Sequence, residues 1–270
     1  MKALGRVVQA PGLVLTFVVL HLATAAFVGR TVRAAVGAGL GPYAVLSDGH
    51  LLYSTLAVLG QNPGVFASFQ MLFVGSSVVA LLFWTLLSAG AIHRLNADSS
   101  DRRPSAANVV ATAVRHFPGV VVVTFWSLVP RAALLGLCAA AAAGWSGGWR
   151  GAALVVAVIV LFYCTCALDL ARCHVVLHGA PCCHPLTAAR GYLQALRRPG
   201  VLGASILMSL GQWTTVLLIL LLAGQGLGTA AVVWWARGLS VLGIVLALGR
   251  IAVAVGAGPP EATPPTPETP

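Results

Sequence analysis

The chain reads as an all-α membrane protein, a polytopic bundle of about six transmembrane helices with short amphipathic helices at the interfaces. Three observations predict this class. Hydrophobic residues make up 59% of the 270 residues and charged residues only 8%, and mean hydropathy is +0.92. The apolar residues gather into six stretches, each long enough to cross a bilayer. Nearly all the charge lies in the short segments between them. A soluble domain of this size has no use for so much apolar surface. A bilayer core of about 30 Å takes about 20 apolar residues per helix, and the helix pairs every backbone group within its own segment.

The first stretch, 11–28, follows a short basic start containing Lys2 and Arg6. The apolar core 13–20 with Ala23-Thr24-Ala25 also has the form of a cleaved signal peptide. The apolar run continues through Phe27 and Val28, which suits a retained anchor better. The outer segment 29–69 is broken early by Gly37, Gly39, Gly41 and Pro42. Ser47 and Asp48 then open a run in which Leu51, Leu52, Leu56 and Leu59 recur at helical spacing up to Asn62-Pro63-Gly64. That pattern predicts an amphipathic helix lying on the outer interface, with a re-entrant segment as the alternative.

The second stretch, 70–92, leads into an inner loop. There Val109, Val110, Ala113, Val114 and Phe117 line one helical face, opposite Asn108, Thr112, Arg115 and His116. The third and fourth stretches, 118–143 and 152–171, form a pair joined on the outer side. The next inner loop carries a second amphipathic run, with Leu186, Ala189, Leu193 and Leu196 on one face and Arg190 and Arg197 off it. Each inner run ends in Pro-Gly-Val, at Pro118 and at Pro199, where proline and glycine are expected to part the amphipathic helix from the span. The fifth and sixth stretches, 201–223 and 230–255, complete the membrane domain, 1–256. The Pro/Thr/Glu-rich tail 257–270 is expected to be disordered.

The two inner loops look related. A shift of 81 residues aligns His93 with His174, Pro104 with Pro185 and the two Pro-Gly-Val triplets. This suggests a duplicated span–amphipathic helix–span unit, near 66–146 and 147–227.

Positive charge sets the orientation. With the amino terminus in the cytoplasm, eleven of the 16 basic residues fall on the inner side, and Arg30, Arg33 and Arg150 on the outer side. Both termini are then cytoplasmic. Trp145, Trp149, Trp234 and Trp235 fall at the outer boundary, where indole rings settle. All basic residues but Lys2 are arginine, and Ala, Gly and Pro are abundant, which points to a GC-rich bacterial genome and so to a bacterial inner membrane. The net charge of +10 is assigned to the inside bias and to anionic lipid headgroups on the cytoplasmic side. With no soluble basic domain in the sequence, nucleic acid is not expected as a partner.

Four sets of residues can carry chemistry. Cys173, His174, His178, Cys182, Cys183 and His184 follow the fourth stretch. His174 and His178 stand four apart, so both rings face one way on a helix. Together with Cys182 and Cys183 they form a candidate zinc or copper site. No Cys-x-x-Cys occurs, and inert thiols or lipidated cysteines explain the same residues. Asp169 is the sole acidic residue within a span, three residues before Arg172. An interfacial ion pair accounts for it, with an ion or proton path as the alternative. Arg131 lies deep in the third span, where Pro130 frees a carbonyl near Trp126. It either snorkels or faces a polar cavity to which Gln212, Thr214 and Thr215 would contribute. His21 is expected to bond between helices. The sequence has no phosphate-binding loop and no His-Glu-x-x-His helix. With six carboxylates in all, an enzyme is not expected.

Ala167-Leu168-Asp169-Leu170-Ala171-Arg172, followed by Ala188-Ala189-Arg190 and by Leu196-Arg197-Arg198-Pro199, resembles a pattern in six-helix bacterial inner-membrane proteins of unknown function. It is similar to the membrane domain attached to some bacterial glycerophosphodiester phosphodiesterases, over about 77–222. The resemblance implies the fold and a basic amphipathic helix after an Asp-x-Ala-Arg helix end. That group often has an acidic residue where this chain has its Cys/His cluster. These 270 residues hold no soluble phosphodiesterase domain, so the activity does not carry over. The expected function is a non-enzymatic scaffold or accessory subunit of a membrane assembly or export system, with membrane protein partners. A transporter or channel for a small solute or metal is the alternative, and an intramembrane lipid-modifying enzyme a weaker third.

Overall fold

The computed structural model describes residues 2–40, 63–97, 105–144, 148–180, 184–224 and 229–257. The outer amphipathic run, Trp145, Cys182, Cys183 and the tail lie outside them. The described residues are helical, with no strand among them. In chain order the helices are α1 (Lys2–Val8), α2 (Pro11–Leu40), α3 (Pro63–Asn96), α4 (Ala106–Gly144), α5 (Gly148–His178), α6 (Pro185–Arg197), α7 (Pro199–Gly224) and α8 (Thr229–Gly256). All six predicted stretches fall within helices. Five segments are long and apolar enough to cross a membrane: Val78–Asn96, Ala106–Gly144, Gly151–His178, Pro199–Ile219 and Trp234–Gly256. The apolar part of α2, Pro11–Phe27, is shorter.

The burial pattern is that of a protein whose solvent is lipid. Large apolar side chains such as Val155, Ile159, Leu207 and Leu217 face outward, while buried positions include Ala89, Ala91, Ala167, Ala171 and Ala195 together with Thr85, Ser88 and Thr124. Lipid tails are as apolar as leucine, so burying leucine gains little here. Small residues let helices approach closely, and hydroxyls find partners inside the bundle. Most of these hydroxyls bond a carbonyl one turn back, as Thr85 does to Leu81 and Thr124 to Val120.

The described residues divide into two compact units. One is drawn from Met1–Ala3, Ala89–Leu207 and Arg250–Pro270, the other from Leu4–Ser88 and Met208–Gly249. In the first unit α4, α5 and α6 pack on one another. The last turns of α3 meet the start of α4, where a methyl group on Gly90 would stand 3.1 Å from Val109 and 3.3 Å from Ala113. The residue 81 positions after Gly90 is Ala171, which makes the matching approach to α6 at Gly191.

One expectation about these inner helices needs correction. Pro118 does not part the first amphipathic run from its span, because α4 continues through both Pro118 and Pro130. A proline removes one backbone hydrogen bond, and packing holds the helix on either side, with Ala113 and Val120 both buried. Pro199 does end a helix: Arg198 before it is non-helical (φ −125°, ψ 72°), as a residue preceding proline tends to be. On α6 the leucine stripe is the outward face, with Leu186, Leu193 and Leu196 at 56%, 53% and 62% exposure. The face of Thr187, Ala188, Gly191, Gln194 and Ala195 is buried against the bundle.

Candidate polar centre on α5 and α6

The carboxyl half of α5 places Asp169, Arg172, His174 and His178 within three turns of helix. Gly179 ends that helix in a left-handed conformation (φ +60°), and the Ala180 N–H reaches back to the His174 carbonyl at 3.2 Å. Such a glycine cap satisfies carbonyls left open at the helix end. His184, from the Cys/His cluster, has a different task. It is the N-cap of α6, where its ring nitrogen accepts the Leu186 N–H at 3.4 Å ahead of Pro185.

Asp169 is 3% exposed and meets two buried arginines. Arg250 of α8 donates from Nε to its carboxylate at 2.6 Å, and Arg172 stands 3.8 Å away. Arg172 turns its Nε and one Nη to the Thr124 hydroxyl, at 3.3 and 3.2 Å. The expected Asp169–Arg172 pair is therefore present, but the shorter bond belongs to Arg250, which sequence spacing did not pick out. A signal for it existed: a carboxylate near the inner end of one span needs a cation at like depth on another, and Arg250 stands near the end of the sixth stretch. Among the described residues Asp169 is the sole acid, so the cluster carries one more positive charge than negative.

Arg131 does not join this cluster. It is half-buried on α4, near enough for its charge to act on Cys164 and Tyr192. Thr214 and Thr215 bond carbonyls of their own helix, Leu210 and Gln212.

Three contacts fasten α6 to the bundle. Tyr163 donates to the Tyr192 carbonyl at 3.0 Å, Tyr192 donates to the Ser127 carbonyl at 3.0 Å, and His174 Nε2 shares a 2.8 Å hydrogen bond with Gln194 Oε1. Burial, and then the neighbouring Cys164, hold the Tyr192 phenol well above its ordinary value, so it stays a neutral donor at physiological pH. Arg198, just past α6, donates to the Ala257 carbonyl.

His174 and His178 do lie together, with ring centres 5.5 Å apart. They line a cavity of about 110 Å3 with Cys173, Asn96, Gln194 and Val255. Among the described residues no three His, Cys, Asp or Glu side chains converge on a point that would hold a metal ion. The other two expected ligands, Cys182 and Cys183, lie outside those residues. Cys138, Cys164, Cys166 and Cys173 are free thiols.

Helices of this length and apolarity, outward leucines and a small-residue interior define a multi-pass integral membrane protein. Compared with known proteins, the chain matches no family model, no curated protein and no solved structure.

Proposed function

We propose that this protein is a non-enzymatic scaffold or accessory subunit of a membrane assembly in a bacterial inner membrane, with both termini cytoplasmic. The observation that carries the reading is the placement of α6. At 13 residues it is too short to span. Its small and polar face is fastened to the bundle by hydrogen bonds from three different side chains, while Leu186, Leu193 and Leu196 point outward and Arg190 and Arg197 are exposed. An apolar stripe beside guanidinium groups suits anionic headgroups and the surface of a partner subunit lying at the same depth. The charges of Asp169, by contrast, are spent on Arg250 and Arg172, which is a structural use.

A photo-crosslinking residue at Leu193, in native membranes, tests this. The expected result is one discrete protein adduct at stoichiometric yield, absent when the same group replaces the outward-facing Val155. Adducts to lipid alone at both positions would rule out the subunit reading.

One observation favours the alternative of metal or small-solute transport, namely the cavity lined by His174 and His178. That reading expects zinc or copper bound stoichiometrically in the purified protein and lost in the His174→Ala/His178→Ala variant. Metal content below one ion per ten chains after loading would remove it.

A further inference from the structure

The second unit holds a cleft of about 400 Å3 between α2 and α3 that none of the roles above uses. Phe17, His21 and Thr24 line it from α2, and Leu81, Phe83 and Trp84 from α3. Phe17 and Trp84 meet edge to face, with ring centres 5.1 Å apart and planes at 84°. Phe17 is itself 2% exposed, and Trp84 half-buried.

His21 lies one helical turn from Phe17 on the same face of α2. It is exposed to the cleft and has no hydrogen bond or ion pair among the described residues. The Thr24 hydroxyl donates to its own helix at Leu20, 2.8 Å away, which leaves only its lone pairs facing the cleft. His21 is ten residues beyond the start of α2 at Pro11. At about 1.5 Å per residue this is about 15 Å along the helix, half the thickness of a bilayer core. With 11–28 read as a span, neither water nor headgroups reach that depth, and lipid tails carry no hydrogen-bonding atom. A polar side chain held there without a protein partner is costly and points to a ligand. An apolar, aromatic-lined cleft with one polar group at its wall is the common form of a small-molecule site.

We propose that the α2–α3 cleft binds a lipid-soluble molecule of the isoprenoid quinone class, with the quinone ring against Trp84 and one ring oxygen hydrogen-bonded to His21. The chemistry selects this class. The ligand must live in the bilayer core, present a flat ring to an aromatic side chain, and carry an oxygen that an imidazole can bond. Neutral imidazole has one N–H donor and one acceptor nitrogen, so it suits a quinone carbonyl by donating and a quinol hydroxyl by accepting. The proposal concerns binding, and no electron transfer is assigned.

The test uses the whole protein in lipid nanodiscs, titrated with a decyl-substituted benzoquinone while tryptophan emission is recorded. Saturable quenching is expected, and the saturable part is expected to vanish in Trp84→Phe. Loss of one hydrogen bond in His21→Ala raises the apparent Kd about tenfold. His21→Gln, whose amide offers both a donor and an acceptor, recovers most of that. Decylbenzene, with the same tail and no oxygen, does not compete. The proposal is overturned by quenching that rises linearly without saturating, by equal displacement with decylbenzene, or by an unchanged Kd in His21→Ala. The quenching and competition arms use the unmodified chain, so they decide the matter even if a variant fails to fold.

Discussion

Asp169 shows how much one carboxylate can hold in this medium. Its bond to Arg250 is short and charge-assisted, about twice as strong as a neutral one. Removing the charge takes from two buried guanidinium groups the carboxylate they share. Asp169→Asn is therefore expected to destabilise the protein by about 3–5 kcal/mol, measured by SDS titration of the protein in mixed micelles. Arg250→Met added to it should recover part of the loss, because the pair is then removed together. A single variant as stable as the parent would show that the carboxylate is solvated. Half of this arrangement was legible in the sequence, since Asp169 and Arg172 are neighbours on one helix turn. Arg250 was not, because spacing along a chain says nothing about which of the other helices lies alongside.

At the scale of one element, α6 is decided by Gly191. A methyl group there would stand 2.9 Å from Ala171 Cβ and 3.1 Å from its backbone nitrogen, and closer still to the Ala167 carbonyl. Backbone cannot move aside as a flexible side chain can, so α6 would have to lift from α5. Gly191→Ala is expected to cost about 1–3 kcal/mol, like other overpacked cores. Gly203 in α7 has open space where its side chain would be. Gly203→Ala should be neutral or stabilising by about 0.5–1 kcal/mol, the helix preference of alanine over glycine. Equal effects of the two substitutions in a melt followed by circular dichroism would refute the close α5–α6 contact. The sequence made α6 amphipathic without saying which face meets the bundle. The packing face is the one with glycine, alanine and hydrogen-bonding side chains.

At the scale of the whole molecule, the outward valines and leucines of α4, α5 and α7 would be an aggregation liability in water. In a bilayer they are ordinary solvation. The protein is accordingly expected to leave membranes only with detergent. The arginine asymmetry further predicts that a cysteine placed in the segment 98–104 reacts with a membrane-impermeant maleimide only after the membrane is opened. Labelling of that cysteine in intact cells would reverse the proposed orientation.

The apolar length of each stretch and the need to pair its backbone groups are local properties of the chain. For that reason the sequence by itself determined the medium, the helical class and the position of the spanning stretches. It could not determine which face of a helix turns inward, since leucine is equally at ease against lipid and against protein. That was left to tertiary packing. The fit of Gly191 under Ala167, the reach of Arg250 to Asp169 and the unbroken course of α4 through Pro118 all depend on which helices meet. In hydrocarbon, contact between helices is decided by close approach and hydrogen bonding rather than by hydrophobicity.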